Sequence, residues 1–154
     1  MKPKSLKDIV FVGLQFMLFI AFVIDVDLGV LPIDLPSFFD TALLGIGLSI
    51  FILSLAKLGR NLSPFPSPKP QSKLVTDGIF KYIRHPIYTA IIVTMLAWSV
   101  WQQSLYQVLI TFLVLLLFYF KSQYEEQQLM QKFSDYKAYK KSTGRFLPKF
   151  RNKI

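Results

Sequence analysis

Four uninterrupted apolar runs, 9–24, 41–55, 87–101 and 108–120, divide the chain, and no Asp, Glu, Lys or Arg lies inside any of them. Phe38 and Phe39 extend the second run backwards, and Leu105 and Tyr106 extend the fourth. A helix needs about 20 apolar residues, with a tolerated range of about 17 to 25, to cross roughly 30 Å of hydrocarbon. The first two runs meet that length with small extensions. The last two are short and lean on thinned bilayer or on neighbouring helices. The pattern predicts an all-α membrane protein with four transmembrane helices over about 9–25, 38–57, 86–102 and 105–121, forming one integral membrane domain over 1–154. A cytoplasmic loop over 58–85 and a cytoplasmic tail with a helical extension over 122–154 complete the expected architecture.

The side of the membrane follows from the charges between the runs. Lys2, Lys4 and Lys7 precede the first run. The following link carries Asp25, Asp27, Asp34 and Asp40 and no basic residue, and the link at Gln102 and Gln103 is uncharged. Lys57, Arg60, Lys69, Lys73, Lys81 and Arg84 fill the long loop, and the other nine of the 18 Lys and Arg begin at Lys121. Basic residues on alternate links place both termini and the long loop in the cytoplasm, by the positive-inside bias. The membrane is then a bacterial inner membrane or the endoplasmic reticulum. Trp98, Trp101 and Tyr106 fall at the outer interface and Tyr119 at the inner one. A basic start and an apolar middle also suit a signal peptide, but Asp25-Val26-Asp27-Leu28 follows with no small-residue cleavage pattern. Asn61-Leu62-Ser63 spells a glycosylation acceptor, yet it faces the cytoplasm and Pro64 follows it.

Composition narrows the chemistry. Hydrophobic residues make up 53% of 154 residues, and the mean hydropathy is +0.42; so short a chain cannot pack that much apolar surface into a soluble core. Cysteine is absent and histidine occurs once, which removes disulfides, a thiol nucleophile and a zinc site of the usual ligand set. The net charge of +9 is accounted for by membrane orientation and calls for no nucleic-acid partner. No Asp, Glu, Lys, Arg or His sits within an apolar run, where a transporter usually carries its coupling group.

Two polar segments are too patterned to be connectors. The first opens with Pro64, Pro66, Pro68 and Pro70, which fix φ and remove amide donors, so an extended strap along the membrane surface is expected. The turn signal Asp77-Gly78 follows. Arg84-His85-Pro86 closes the loop, and the third helix is expected to start at Pro86 with His85 just outside it. The free amides there form a mild anion site. In the second segment Glu125, Leu129, Phe133, Tyr136 and Lys140 recur at helical spacing. The fourth helix is therefore expected to run on through 141 and to stop at Thr143-Gly144, with Gly144 as a left-handed cap. Taken singly, Arg84 and His85 also suit snorkelling or capping, and Tyr136 and Tyr139 suit an interface.

Together these segments resemble a known family. Leu74-Val75-Thr76-Asp77-Gly78-Ile79-Phe80, Arg84-His85-Pro86-Ile87-Tyr88, and Glu125-Glu126 with Leu129, Phe133, Tyr136, Tyr139, Thr143, Arg145, Phe146 and Pro148 are similar, in that order, to the integral membrane methyltransferases. That family includes the isoprenylcysteine carboxyl methyltransferases and the phospholipid N-methyltransferases. The likeness covers 74–148; the first two spans match only as generic hydrophobic helices. Where the family often has glycine, two residues after Tyr88, this chain has Ala90, whose methyl group is expected to tighten the pocket.

The resemblance implies S-adenosylmethionine as methyl donor, a lipophilic or membrane-associated acceptor, and no metal. It implies that Leu74, Val75, Gly78, Arg84, His85 and Pro86 wrap the cofactor and that Glu125 or Glu126 holds its ammonium or ribose hydroxyls. Tyr88, Tyr136 and Tyr139 flank the adenine or line the acceptor's entrance. Arg145 meets the acceptor group or a lipid phosphate, and Arg145 and Glu126 are the residues expected to act catalytically. The alternative is a non-catalytic scaffold or partner-binding protein keeping the same fold, with Lys149, Arg151 and Lys153 against anionic lipid at ~1 kcal/mol per residue.

Overall fold

The computed structural model describes residues 5–24, 26–32 and 36–149. Lys2, Lys4, Asp25, Asp34, Arg151 and Lys153, on which part of the charge pattern rests, lie outside the described residues. Among the described residues there are five α-helices and no strand: α1 (Leu6–Val23), α2 (Ser37–Leu58), α3 (Pro86–Trp101), α4 (Leu105–Lys132) and α5 (Tyr136–Ser142). Short 3-10 turns occupy Gly59–Asn61 and Gly78–Lys81.

Local chemistry sets the helix ends. The Ser5 amide donates to Asp8 Oδ2 at 3.2 Å at the start of α1, half of a capping box. Pro86 is the first residue of α3 and His85 stands outside it, as the missing proline amide permits. The Ser104 side chain accepts from the Gln107 amide and opens α4. Gly59, at φ 48°, ends α2.

α2 packs on α3, α3 on α4, and α4 on α1. The helices therefore stand in the order α2, α3, α4, α1, with α1 at one end of the row. The buried core between them is small: Met95, Ile110, Val114 and Phe118, with Leu18, Phe19, Tyr88 and Ile91 against it. Large apolar side chains such as Ile20, Ile52, Phe112 and Phe120 are turned outward instead, a surface suited to lipid rather than water. α1, α2 and α4 are long and apolar enough to cross a membrane. α3 is apolar throughout but has 16 residues, about 24 Å at 1.5 Å per residue.

At the end of the row away from the charged loop, the 26–32 link pairs with the α3–α4 turn: the Leu31 amide donates to Gln103 O at 2.9 Å and the Leu105 amide to Gly29 O at 3.3 Å. Trp98 and Trp101 meet edge to face there, ring centres 4.9 Å apart.

Three local expectations are corrected. α4 does run on past the apolar region, but it stops at Lys132; Phe133 turns extended and α5 begins afresh at Tyr136. Ser134 and Asp135 lie in the break, and such side chains compete with the helix for backbone groups. Gly144 is not a left-handed cap, since Thr143 ends α5 in extended conformation. Glycine is needed at 144 because a Cβ would overlap the Leu147 carbonyl. Ala90 is buried and does not line the cleft described below; its carbonyl lies beside Gly47 of α2.

Candidate active site

Polar side chains from just before α3, from α5 and from just after it converge on one carboxylate of α4. α4 carries Glu125 and Glu126 beyond its long apolar run, which ends at Phe120, and Glu126 is fully buried. Its Oε1 accepts from Arg84 Nε at 2.9 Å and lies 3.3 Å from His85 Nε2. Its Oε2 meets Lys140 Nζ at 2.9 Å and accepts from Arg145 Nη2 at 3.2 Å. Burial alone pushes this carboxyl up, but hydrogen bonds from His85, Lys140 and Arg84 outweigh it and hold the group well below the usual carboxylate range. Glu126 is thus a permanent anion at neutral pH, shared by three cations and the His85 imidazole.

The backbone holds those partners in register. The 82–85 segment runs beside 143–149: the Arg84 amide donates to Gly144 O at 2.8 Å, His85 to Arg145 O at 3.1 Å, and Gly144 and Lys149 both to Tyr82 O at 3.2 Å. Arg84 Nη1 donates to the carbonyls of Lys140, at 3.0 Å, and Thr143. Guanidinium donors thereby satisfy the carbonyls at the end of α5, which no further helical turn would reach. Thr89 Oγ1 donates to Phe146 O at 2.8 Å and fastens the same segment to α3.

Glu125 has a different position. Its Oε2 accepts from Tyr88 OH at 2.8 Å and lies 3.7 Å from His85 Nδ1, while among the described residues nothing donates to its Oε1. His85 and Tyr88 stack, ring centres 5.3 Å apart, and Tyr88 stacks in turn on Phe118 at 4.4 Å. An aromatic column therefore leads from the membrane core to the carboxylates.

Against this column lies a cleft roofed by the proline strap and walled by α4 and α5. Leu74, Val75, Arg84, His85, Glu125, Tyr136 and Tyr139 line it, with Leu129 of α4, Phe133 just after α4, and Ser63 and residues 65–69 of the strap. Seven expected site residues thus meet in one place. The other expected residues do not line it. Glu126 and Tyr88 stand behind His85 and Glu125; Pro86 is buried at the start of α3. Gly78 occupies the left-handed turn (φ 59°) beside Lys57. Arg145 lies across Glu126 from the cleft, 5.0 Å from the centre of the exposed Tyr119 ring.

The tyrosines differ in their partners. Tyr139 OH donates to Phe80 O at 2.6 Å. The Tyr136 ring is buried beside it, and among the described residues its hydroxyl has no partner. Burial raises both phenols above their usual range, with the Glu126 field adding to it and the Arg84 charge opposing.

Sequence reasoning did not find Lys140 as a ligand of Glu126, nor the buried Asp8, Gln15 and Lys121. Lys140 stood in the helical stripe with Glu125, which was the available signal. Asp8 and Gln15 lie far from the motifs in sequence, and nothing local marks them.

The helix row, apolar on its outside, thus carries at one end a cleft lined by carboxylate, aromatic and cationic side chains. Residues 37–137 match the phospholipid methyltransferase family, and the chain belongs to it. It is accordingly a membrane methyltransferase by family, and the family's methyl donor is S-adenosylmethionine. No curated protein matches the chain.

Proposed function

We propose that this chain binds S-adenosylmethionine in the cleft between the strap and α4–α5 and transfers its methyl group to a lipophilic acceptor entering from the membrane, in the manner of an isoprenylcysteine carboxyl methyltransferase. The observation that carries this reading is the division of labour between adjacent glutamates. Glu126 is saturated by cations, whereas Glu125 faces the cleft with one oxygen open. An open carboxylate, an unpartnered Tyr136 hydroxyl and the apolar walls Leu74, Val75, Leu129 and Phe133 suit a molecule with an ammonium, hydroxyls and a flat base.

When bound, the cofactor supplies an electrophilic methyl on a sulfonium. Glu125 takes its ammonium or ribose hydroxyls, and His85 is held in place by the two carboxylates on either side of it. Tyr136 and Tyr139 flank the base. The strap excludes water, and the walls orient the donor; orientation can contribute ~7–11 kcal/mol to such a displacement. Arg145 uses one nitrogen on Glu126, and among the described residues its other donors are unengaged. Beside the lipid-facing Tyr119 it is placed for an acceptor carboxylate or a headgroup phosphate. Glu126 acts by holding Arg145 and His85 in these positions.

This reading takes α3 as a fourth span, both termini as cytoplasmic and the chain as one domain. The chain has no cysteine, so single cysteines placed at Ser67 and at Gln102 report their side unambiguously. Ser67 is expected to be labelled by an impermeant maleimide only from the cytoplasmic face and Gln102 only from the opposite face; labelling of both from one face would remove the fourth span.

Calorimetry with S-adenosylhomocysteine on detergent-purified protein tests the cofactor site. Saturable binding that Glu125→Gln weakens at least tenfold supports it. Folded protein that binds nothing would turn the reading to a scaffold retaining the fold.

A further inference from the structure

α1 reverses the usual pattern of a packed helix. Its apolar side chains are mostly turned outward, and its only buried residues are polar, Asp8 and Gln15. They are two turns apart and share a face. α1 also precedes the matched 37–137 region.

Each of the two ends on the frame of the cleft. Asp8 Oδ1 accepts from the Ser67 amide at 3.1 Å and the Ser67 hydroxyl at 2.9 Å. Ser67 lies in the middle of the proline strap, between the buried Pro66 and the half-buried Pro68, and all three line the cleft. Gln15 Oε1 accepts from Lys121 Nζ. Lys121 is 1% exposed, and its ammonium stands 5.5 Å from the centre of the Tyr88 ring, whose hydroxyl donates to Glu125. Buried charges persist only where hydrogen bonds hold them, so Asp8 and Lys121 are strong anchors for what they touch.

The open-sided cleft has a volume of about 110 Å³, well under the ~300 Å³ at the lower end of small-molecule sites. A donor-sized molecule therefore needs the lining to give way, and the strap, which Lys132 also holds at its far end, is the part of that lining that Asp8 ties to α1.

We propose that Asp8 and Gln15 are positioning residues of the cofactor site: Asp8 ties the strap over the cleft, and Gln15 holds Lys121 against Tyr88. α1 then sets how long the donor is retained without touching it. This rests on the cleft being the S-adenosylmethionine site, and the test separates the two.

The test is the dissociation rate of S-adenosylhomocysteine from the full chain in lipid nanodiscs, with thermal unfolding of the unliganded protein measured alongside. No binding by the wild type would overturn the cofactor site and this proposal with it. With the wild type binding, Asp8→Ala is expected to speed dissociation about tenfold, as loss of a charge-assisted pair of hydrogen bonds implies. Asp8→Asn keeps an Oδ1 acceptor and stays within about twofold. Ser67→Ala, which keeps the amide bond and poses little risk to folding, gives about threefold. Gln15→Leu weakens binding about fivefold and Gln15→Glu, which still accepts from Lys121, restores it. Wild-type dissociation in Asp8→Ala and Ser67→Ala, even with a lowered melting temperature, would make Asp8 merely structural and sink the strap tie. Equal loss in both Gln15 variants, or in neither, would do the same for the Lys121 contact.

Discussion

The α2–α3 seam and the Glu126 cluster hold the same row of helices together by opposite means. At the seam the backbones approach closely. A Cβ on Gly47 would overlap Thr94 Oγ1 and come within 3.2 Å of the Thr94 amide and 3.3 Å of Ala90 O. Between apolar helices in lipid there is no hydrophobic drive to associate, so small residues and close packing supply the contact. At the cluster, side chains from the loop before α3, from α5 and from the segment after α5 reach one buried carboxylate on α4. The seam asks for the absence of a side chain, and the cluster for the presence of one. A change at the seam should therefore cost stability alone, whereas one at the cluster should cost stability and binding together.

The largest effect is expected at the centre of the cluster. Glu126→Gln leaves Arg84, His85, Lys140 and Arg145 facing one another without their anion, and removing one partner of a buried pair costs about 3–5 kcal/mol. Thermal unfolding and S-adenosylhomocysteine calorimetry should both show the loss. The pH profile of the wild type should carry the same signature. The folded carboxyl lies below its ordinary value of 4.5, so its stabilisation is complete above that pH and is lost progressively as the pH falls below it. Glu126→Gln should lack this acid limb; an unchanged limb would place its origin elsewhere.

Next comes the neighbouring residue. Glu125→Gln removes an open carboxylate rather than a saturated one, so donor affinity should fall at least tenfold, about 1.4 kcal/mol, with the melting temperature nearly kept. If Glu125→Gln destabilised as much as Glu126→Gln, the division between a binding and an organising glutamate would fail.

The contrast between these two glutamates also marks how far the residues could be read without coordinates. The start of α3 at Pro86 and the helical stripe were legible because both depend on neighbours in sequence. The stripe stayed true where the helix did not: Glu125, Leu129, Phe133 and Tyr136 all line the cleft although α4 breaks at Phe133. Which glutamate faces the cleft was not legible, because it depends on where Lys140 and Arg145 return after the break. The bond between Gln15 and Lys121 joins residues 106 apart, and no local pattern encodes it. Lys121 reads in sequence as the first charge of the tail, yet it is buried against α1.

At the seam, Gly47→Ala should cost about 1–3 kcal/mol through overpacking, with donor affinity of the folded fraction unchanged. Thr94→Ala removes the overlapping hydroxyl and should recover part of it, though not the part due to backbone atoms. Loss of donor binding in Gly47→Ala, measured on folded protein, would join the two regions that this comparison separates.

Tyr139→Phe lies at the cluster's edge and removes the hydrogen bond to Phe80 O, for about 0.5–1.5 kcal/mol. Its raised phenol also bears on the alkaline side. Burial keeps Tyr136 and Tyr139 protonated in the folded state above their ordinary value of 10.0, so their contribution is full below that pH and lost as pH rises past it. The substituted protein should show a shallower alkaline loss in melting temperature.

The smallest effect is expected at Lys57 and Asp77, which form an ion pair where α2 meets the turn before α3. The hydrogen bond from Lys57 holds the Asp77 carboxyl below its ordinary value against a slight opposing desolvation. The pair is nevertheless open to water, with side chains 40% and 68% exposed, and exposed pairs are screened and lose side-chain freedom on forming. Lys57→Ala should leave melting temperature and donor affinity unchanged within error at physiological salt. A drop in affinity without a drop in stability would mean that the Leu74–Gly78 turn is placed by α2 through this pair, and a surface charge would then belong to the cleft's frame.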